Sequence, residues 1–171
     1  NKSYEERADI LAAVAEIING QAEALAAVEA QDGGGTIRKA SFADVPGAAG
    51  TFEYFAGLCR GYVDEEEFEE TVPVASRNIV RREPIGVCAG IVPWNFPILM
   101  ASWKIAPALA AGNTVIIKPA SVTPVTALLL GQICKDAGVP DGVVNVVSGP
   151  GGVAGERLAS HPDVGKVAFT G

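Results

Sequence analysis

The sequence predicts an α/β fold: a doubly wound parallel sheet, preceded by two helices and a β-hairpin arm. The first observation is that, after Pro84, short runs rich in Val and Ile alternate with helical segments. Such runs indicate strands buried on both faces, and right-handed crossovers between them give a doubly wound sheet. The second is that 171 residues, 49% of them hydrophobic and 19% charged, suffice for one domain with a proper core.

Two helices are predicted at the beginning of the chain. Residues 4–30 place apolar side chains at three- and four-residue steps, which is typical of one amphipathic helix. The glycines at 33–35 end this helix, because glycine supplies the left-handed cap. A second helix is predicted over residues 41–63, with Pro46 near its start.

A β-hairpin is predicted after the helices. We expect the acidic run at 64–70 to be a solvated loop. Residues 71–82 contain strand-forming side chains on either side of a plausible turn at 76–78. So short a hairpin is not stable alone, and we expect it to join a sheet of another subunit or a segment missing from this sequence. The chain therefore divides into a helical part, a hairpin and a sheet-forming part, at residues 1–70, 71–83 and 84–171.

The remaining elements alternate regularly. We predict four strands, at 86–92, 114–118, 143–147 and 166–169. Three helices connect them, at 96–110, 125–137 and 153–160. No helix follows the last strand, which is an unusual place for a natural terminus, and we expect the sequence to be truncated.

Charge and cysteine usage argue against several classes of function. Residues 1–83 carry 8 basic and 16 acidic side chains (net −8), and residues 84–171 carry 5 and 4 (net +1), which gives the total of −7. This balance excludes a basic stripe for nucleic acid and leaves room for a pocket that takes an anion. One histidine and no C-x-x-C motif argue against a zinc site. We interpret the three cysteines as buried free thiols of a cytoplasmic protein: Cys59, Cys88 and Cys134.

Neither secretion nor membrane insertion is indicated. The chain opens on charged residues of a helix, and we expect no signal peptide. The longest uncharged run, at 84–103, is interrupted by Pro93, Asn95 and Pro97. It therefore lacks the ~20 consecutive apolar helical residues that a membrane span needs, and we interpret it as buried core.

Two motifs at predicted strand ends are candidates for nucleotide binding, because ligands of open α/β sheets bind outside the carboxyl ends of strands. Gly149-Pro150-Gly151-Gly152-Val153-Ala154 fits the fingerprint G-x-G-x-x-G/A. It is either a phosphate-binding turn or a tight turn that packs a helix against a strand. Lys118 ends a strand before Pro119. It is either a partner for ribose hydroxyls or a 2′-phosphate, or a surface lysine.

Asn95 is the most suggestive polar residue in the central stretch. Pro93 and Pro97 fix the backbone on either side of it, and Trp94 and Phe96 flank it directly. A turn this rigid suits a side-chain amide that donates to a developing oxyanion. The alternative is an asparagine that caps the following helix, and spacing alone does not decide between the two.

Several motifs together resemble those of the NAD(P)-dependent aldehyde dehydrogenase superfamily. They are Pro93-Trp94-Asn95-Phe96-Pro97, Trp103-Lys104, Ala-Leu-Ala-Ala-Gly-Asn-Thr-Val at 108–115, Lys118-Pro119 and Phe169-Thr170-Gly171. The match is dense from Arg82 to Gly171 and looser before it, where it includes Glu29-x-x-Asp32. The resemblance implies a Rossmann-like NAD(P)-binding part over residues 84–171, incomplete here, and an oligomerisation element that begins with the hairpin.

The resemblance also implies a reaction and its residues. Family members oxidise aldehydes to acids through a cysteine thiohemiacetal, hydride transfer to the nicotinamide and hydrolysis of a thioester. Asn95 matches the asparagine that stabilises the oxyanion, and Lys104 matches a lysine with a proton-relay role. The cofactor contacts of the family are matched by Ile91, Val92, Pro93, Trp94, Asn95, Lys118, Ser121, Gly151, Phe169, Thr170 and Gly171.

The sequence departs from the family pattern at three points. The family's nucleophilic cysteine and general-base glutamate follow the Phe-Thr-Gly motif, where this sequence stops, and none of its three cysteines stands at the nucleophile's position. Only Gly171 of the glycine-rich pyrophosphate turn is present, so we do not interpret Gly149–Ala154 as that turn. Ser121 stands where many NAD-preferring members carry a glutamate that repels a 2′-phosphate, which favours NADP or the use of both coenzymes.

We therefore expect the N-terminal part of a cytoplasmic aldehyde dehydrogenase, a homo-oligomer (dimer or tetramer) that acts on a small aldehyde without metal, nucleic-acid or membrane partners. The isolated 171-residue chain is expected to be inactive and poorly soluble, because its last strand exposes an unpaired edge. The alternative is a non-catalytic truncated module that binds a dinucleotide or pairs with a full-length subunit. A natural protein with an intact mass near 17.6 kDa would favour that alternative.

Overall fold

The computed structural model describes residues 2–70 and 72–171. Its elements are numbered along the chain. The helices are α1 (Tyr4–Gly20), α2 (Ala22–Gly33), α3 (Ile37–Lys39), α4 (Val45–Cys59), α5 (Pro97–Ala110), α6 (Val125–Asp136) and α7 (Glu156–Ser160). The strands are β1 (Glu65–Glu70), β2 (Ser76–Arg81), β3 (Val87–Ile91), β4 (Thr114–Lys118), β5 (Val144–Val146) and β6 (Lys166–Phe169). Two π-helical segments, Ala40–Asp44 and Gly151–Gly155, complete the list.

A four-stranded parallel sheet organises the fold, in the order β5-β4-β3-β6. Strands β3, β4 and β5 follow one another toward one edge of the sheet, and β6 then pairs with the other side of β3. The doubly wound prediction is thereby confirmed. In the register, Ile91 at the end of β3 lies opposite both Lys118 of β4 and Phe169 of β6. Three strand ends therefore meet at one edge of the sheet.

The core lies between the sheet and layers of helices. Helix α5 packs on β3 and β4, α6 packs on β5, and α1 and α4 pack on α5. The largest fully buried side chains come from all of these layers: Leu11, Ile18, Phe52, Ile98, Ile105, Ile117 and Leu130. The apolar run from residue 84 onward is thus core, as predicted, because it supplies both β3 and the buried face of α5.

The first predicted helix is in fact two. Helix α1 ends at Gly20, and α2 leaves it at an angle of 75°. Gly20 favours such a break, because glycine loses the most conformational freedom inside a helix. The end of α2 agrees with the prediction: Gly34 caps it with a left-handed φ of 66°.

Helix α2 also carries two carboxylates that cap other helices. The Ile98 N–H, in the first turn of α5, donates to Glu29 Oε1 at 3.2 Å. The Val125 N–H, at the start of α6, donates to Asp32 Oδ2 at 2.9 Å. The first N–H groups of a helix have no intrahelical partner, and an anionic acceptor there is favourable. The Glu29-x-x-Asp32 motif therefore holds the starts of two sheet-covering helices.

The second predicted helix begins earlier and ends earlier than expected. Helical structure starts at Ile37, passes through the π-helical segment, and ends at Cys59 rather than at residue 63. Thr36 caps its start, since the Lys39 N–H donates to Thr36 Oγ1 at 3.2 Å. Pro46 lies where the π-helical segment passes into α4, and helical structure continues on both sides of it.

The predicted exposure of residues 64–70 is confirmed, but the prediction that they form a loop is wrong, as is the turn at 76–78. Glu65–Glu70 forms β1 and pairs antiparallel with β2, which runs through the predicted turn. The predicted start of the hairpin, Thr71, lies outside the described residues. Three of the five glutamates of β1 pair with arginines: Glu65 with Arg81, Glu66 with Arg82 just beyond β2, and Glu67 with Arg77.

The other predicted elements agree with the structure to within a few residues, except that the last helix begins as a π-helical segment. No single helix of residues 2–70 and 72–171 is long and apolar enough to cross a membrane. Helices α1 and α2 meet the criteria of length and composition only as a bent pair.

Candidate active site at the carboxyl edge of the sheet

The strand order reverses the winding direction between the ends of β3 and β6. Such reversal points are where open α/β sheets bind ligands. The Thr170 N–H donates to Ile91 O at 3.0 Å, which extends the pairing of the two strands by one residue. Lys104, half-buried on α5, donates from Nζ to Thr170 Oγ1 at 2.8 Å. The structure thus brings Ile91, Lys104 and Thr170 together, although they are far apart in the sequence.

Gly90 allows α5 to approach the sheet at Lys104. A Cβ on Gly90 would lie 2.6 Å from Ile117 Cδ1 and 2.9 Å from Lys104 Cβ. Carbon atoms in contact are normally about 3.5–4.0 Å apart, so only glycine fits. The position of Lys104 relative to the strand ends therefore depends on the missing side chain of Gly90.

The turn after β3 presents Asn95 to solvent. Asn95 and Trp94 are both exposed, whereas Pro97 and Ile98 behind them are buried. Helix α5 begins at Pro97 with Phe96 as its N-cap residue, and the side chain that accepts from its first turn is Glu29 rather than Asn95. The helix-cap interpretation of Asn95 is therefore wrong. Its side-chain amide makes no hydrogen bond to the described residues, so its N–H groups are available to a ligand.

Lys118 is not a surface lysine. It is 5% exposed, and its Nζ donates to Pro119 O at 2.7 Å, which leaves two of its three donors. The Val92 N–H donates to Lys118 O at 3.1 Å, so Lys118 is tied to the turn that carries Asn95. A Cβ on Gly155 would lie 3.7 Å from Lys118 Cδ, which places the π-helical segment Gly151–Gly155 beside the lysine.

Ser121 and the glycine motif lie at the same edge of the sheet. The Ser121 hydroxyl donates to Gly149 O at 2.9 Å, which joins the loop after β4 to the loop after β5. In the glycine motif, the Val153 and Ala154 N–H groups both donate to Pro150 O, at 3.1 and 2.9 Å. Two donors that a phosphate cradle would use are therefore occupied, which favours the tight-turn interpretation of Gly149–Ala154.

The three cysteines are unsuited to nucleophilic catalysis. All are free and buried. Burial raises the pKa of Cys59 and Cys88 above the ordinary thiol value, and it raises the pKa of Cys134 to about 12. Because the thiolate is the nucleophile, a raised pKa makes a cysteine inert. Within residues 2–70 and 72–171, no three His, Cys, Asp or Glu side chains come together as metal ligands.

A cluster of charged residues lies beneath the Asn95 turn, and the sequence did not reveal it as a unit. Asp44 is 1% exposed and Glu29 is 4% exposed. Burial raises the pKa of Glu29, although the hydrogen bonds from Thr126 and Ile98 oppose that rise. Lys39 approaches both Asp44 and the carbonyl of Asn95. The only signal in the sequence was the Glu29-x-x-Asp32 motif, because Lys39 and Asp44 stand at a spacing that does not match the α-helical repeat.

The chain matches the model of the aldehyde dehydrogenase family over residues 1–171. An aldehyde dehydrogenase of Alternaria alternata is 46% identical over 167 residues, which is 98% of this chain and 33% of that protein. A betaine aldehyde dehydrogenase of Bacillus subtilis is 46% identical over 166 residues, which is 97% of this chain and 33% of that protein. The chain thus spans about a third of the length of these two curated relatives.

Solved structures also superpose closely on this chain over about a third of their own length. PnpE from Pseudomonas sp. WBC-3 superposes with a TM-score of 0.90 at 44% identity, over 98% of this chain and 34% of that one. The same protein is known in a complex with nicotinamide adenine dinucleotide. A betaine aldehyde dehydrogenase variant of Staphylococcus aureus, in complex with NAD+, superposes with a TM-score of 0.90 at 36% identity, over 98% of this chain and 33% of that one.

Proposed function

Because the chain belongs to the aldehyde dehydrogenase family, as its sequence motifs indicate, we propose that it is the cofactor-side part of an enzyme that oxidises an aldehyde to a carboxylic acid with NAD or NADP. The main support is the reversal point between β3 and β6, where Lys104 donates to Thr170 beside the turn that presents Asn95. In this proposal the nucleophilic cysteine and the general-base glutamate come from outside residues 1–171.

The residues at the strand ends fit a dinucleotide. Gly155 lies beside Lys118 and Ile91, since a Cβ there would be in van der Waals contact with Lys118 Cδ at 3.7 Å and with Ile91 Cδ1 at 3.9 Å. The donors at this edge suit hydroxyl and phosphate oxygens. Bound NAD or NADP supplies the hydride acceptor. We assign cofactor binding to Ile91, Val92, Pro93, Trp94, Asn95, Lys118, Ser121, Gly151, Phe169, Thr170 and Gly171.

The catalytic role that we assign to Asn95 is to stabilise an oxyanion. When a thiolate attacks an aldehyde, the carbonyl oxygen gains negative charge, and a preorganised N–H donor lowers the energy of that state. The exposed Asn95 amide, on a turn between two prolines, supports this role. We assign Lys104 to proton relay, and its hydrogen bond to Thr170 Oγ1 keeps Nζ at the reversal point.

Replacement of Asn95 tests the proposal in the full-length protein. We expect Asn95→Ala to lower kcat by about 10²–10³-fold, the usual cost of one oxyanion donor. Asn19→Ala is a matched control, because Asn19 is exposed on α1 and bonds only to Glu53. Acetaldehyde, propanal and benzaldehyde serve as probe substrates. A kcat that is unchanged in Asn95→Ala would reject the oxyanion role.

The coenzyme preference follows from Ser121 and Lys118. We propose NADP or dual use, because Ser121 adds no charge to repel a 2′-phosphate and Lys118 keeps unused N–H donors nearby. Ser121→Glu should therefore raise KM for NADP more than KM for NAD, since a carboxylate repels phosphate and binds a 2′-hydroxyl. Ser160→Glu, on the exposed end of α7, adds the same charge as a control. Equal effects on both coenzymes would contradict the charge argument.

We further propose that the enzyme is a homo-oligomer and that the β1–β2 hairpin takes part in its assembly. A two-stranded sheet is marginal alone, and this one exposes Phe68, Ile79 and Val80. Ile79→Glu should shift the sedimentation coefficient toward the monomer; an unchanged value would contradict the assignment. The three unpaired thiols support a reducing, cytoplasmic location, which cell fractionation can check.

The isolated 171-residue chain should not turn over, because none of its cysteines suits the nucleophile's role. The outer edge of β6 is unpaired within residues 2–70 and 72–171, and Phe169 is exposed beside it, so we also expect poor solubility. Reduction of NAD or NADP by the purified chain would overturn this proposal.

A further inference from the structure

The turn that carries Asn95 is held from below by charged side chains of the N-terminal helices. Glu29 accepts hydrogen bonds from the Ile98 N–H at 3.2 Å and from the Thr126 hydroxyl. Lys39 reaches the other end of the turn and donates from Nζ to Asn95 O at 3.0 Å. The backbone is therefore fixed at residue 95 and at residue 98, by contacts that lie far away in sequence.

Lys39 makes three contacts with its ammonium group. Besides Asn95 O, Nζ lies 2.5 Å from Asp44 Oδ2 and 4.0 Å from the centroid of the Phe96 ring. The first two are charge-assisted hydrogen bonds, and the third is a cation–π contact. Two of the three partners, Asn95 and Phe96, belong to the turn. A single side chain thus sets the position of two consecutive residues there.

Asp44 anchors Lys39 to the core. Its side chain is almost completely buried, whereas the side chain of Lys39 is 36% exposed. The two residues are five positions apart: Lys39 precedes the π-helical segment Ala40–Asp44, and Asp44 is its last residue. In a π-helix residues i and i+5 are hydrogen-bonded neighbours, so this segment stacks Asp44 under Lys39. A buried carboxylate needs a cation, which gives Lys39 one favoured position.

We propose that Lys39 is a positioning residue: held by Asp44, it fixes the backbone of Asn95 so that the side-chain amide is aimed at the reacting carbonyl oxygen. This inference rests on the proposed function. Lys39 does not touch the substrate in this scheme and acts only through Asn95. Its effect should therefore appear in the steps that form an oxyanion and leave coenzyme binding unchanged.

The test uses the full-length enzyme and the Lys39→Met variant, whose side chain is unbranched like lysine but carries no charge. We expect kcat to fall by about 10- to 100-fold, less than the full loss of one oxyanion donor, because the amide stays present but is misdirected. Hydrolysis of p-nitrophenyl acetate without coenzyme should fall by a similar factor, since attack on an ester creates the same oxyanion. KM for NAD and NADP should change less than about twofold on the same reasoning.

Two further variants separate positioning from general damage. Lys39→Arg keeps the charge and should restore part of the lost kcat. Arg38→Met removes the exposed neighbouring charge and should have no effect. The decisive comparison is a double-mutant cycle. In the Asn95→Ala background, Lys39→Met should change kcat by less than about twofold, because its target is gone.

The possible results are distinct. If Asn95→Ala does not lower kcat, both the proposed function and the role of Lys39 are rejected. If Asn95→Ala lowers kcat but Lys39→Met is neutral, or has the same effect in both backgrounds, only the role of Lys39 is rejected. If Lys39→Met does not fold, Lys39→Met with Asp44→Asn replaces it in the cycle, because that pair leaves no unpaired buried charge.

Discussion

Replacing Gly90 with alanine tests how the sheet positions Lys104. The added methyl group would lie 2.9 Å from Lys104 Cβ and 2.6 Å from Ile117 Cδ1. Ile117 is completely buried, so its side chain has to repack within the core. Lys104 Cβ is attached directly to the backbone of α5, so the helix itself has to move. Reaching a normal separation of about 3.5 Å requires a displacement of roughly 0.6 Å.

The expected magnitude follows from this overlap. Overpacking of a well-packed core costs about 1–3 kcal/mol in the free energy of unfolding. At about 2–4 °C per kcal/mol for a domain of this size, the melting temperature should fall by about 2–12 °C. The displacement also moves Lys104 Nζ away from Thr170 Oγ1. We expect kcat to fall by roughly 10-fold, since misplacing a catalytic group by about 1 Å can cost 10²-fold.

Thermal melting and steady-state kinetics of the full-length protein measure both effects. Gly57→Ala is the matched control, because Gly57 lies inside α4 and a Cβ there meets nothing within 4 Å. Alanine should stabilise that helix by up to about 1 kcal/mol. A Gly90→Ala protein that melts within the error of wild type and keeps its kcat would refute the close-approach argument.

Three further predictions concern the buried carboxylates and thiols. Burial raises the pKa of Glu29 above its ordinary value of 4.5, so the stability associated with its protonated form is complete below pH 4.5 and is lost as pH rises through the folded-state pKa. The melting temperature of Glu29→Gln should therefore gain on wild type as pH rises above 4.5, and a difference that stays constant from pH 4.5 upward would contradict this. Asp32→Ala should lower the free energy of unfolding by about 1 kcal/mol, the usual value of a helix cap. Asp32→Asn should keep most of that stability, because its side-chain oxygen can still accept the hydrogen bond. Equal melting temperatures of the two variants would argue against the capping role. Iodoacetamide should label the three native thiols of Cys59, Cys88 and Cys134 slowly, as measured by peptide mass spectrometry. Rapid labelling of any of them would contradict the burial argument.

The sheet could be predicted from the sequence because its strands are locally distinctive. The strand β4 was predicted with its correct ends, since Val115-Ile116-Ile117 is bounded by turn-forming residues. The acidic strand β1 could not be recognised, because glutamate has a low strand propensity. Its strand conformation depends on the pairing with Arg77 and Arg81 of β2, which is information held in another segment.

The candidate site, like the sheet, could be predicted from the sequence only in part. Asn95 and Lys118 were found because prolines and a strand end mark them, and the structure removed the alternatives of a helix cap and a surface lysine. Lys39 and Asp44 were missed, because helical pattern arguments compare residues three or four positions apart. A π-helical segment brings positions five apart together, and no local sequence pattern predicts such a segment.

Through the two carboxylates of α2, the helices that cover the sheet depend on the N-terminal helices for their stability. Glu29 is 69 residues from Ile98 and 97 from Thr126, and Asp32 is 93 residues from Val125. Contacts of such high sequence separation form late and slow the folding of a domain. A protein shortened to begin near Pro84 would leave α5 and α6 without these acceptors and would uncover the face of α5 that α1 and α4 bury. We therefore expect the strand-bearing half not to fold as an independent unit.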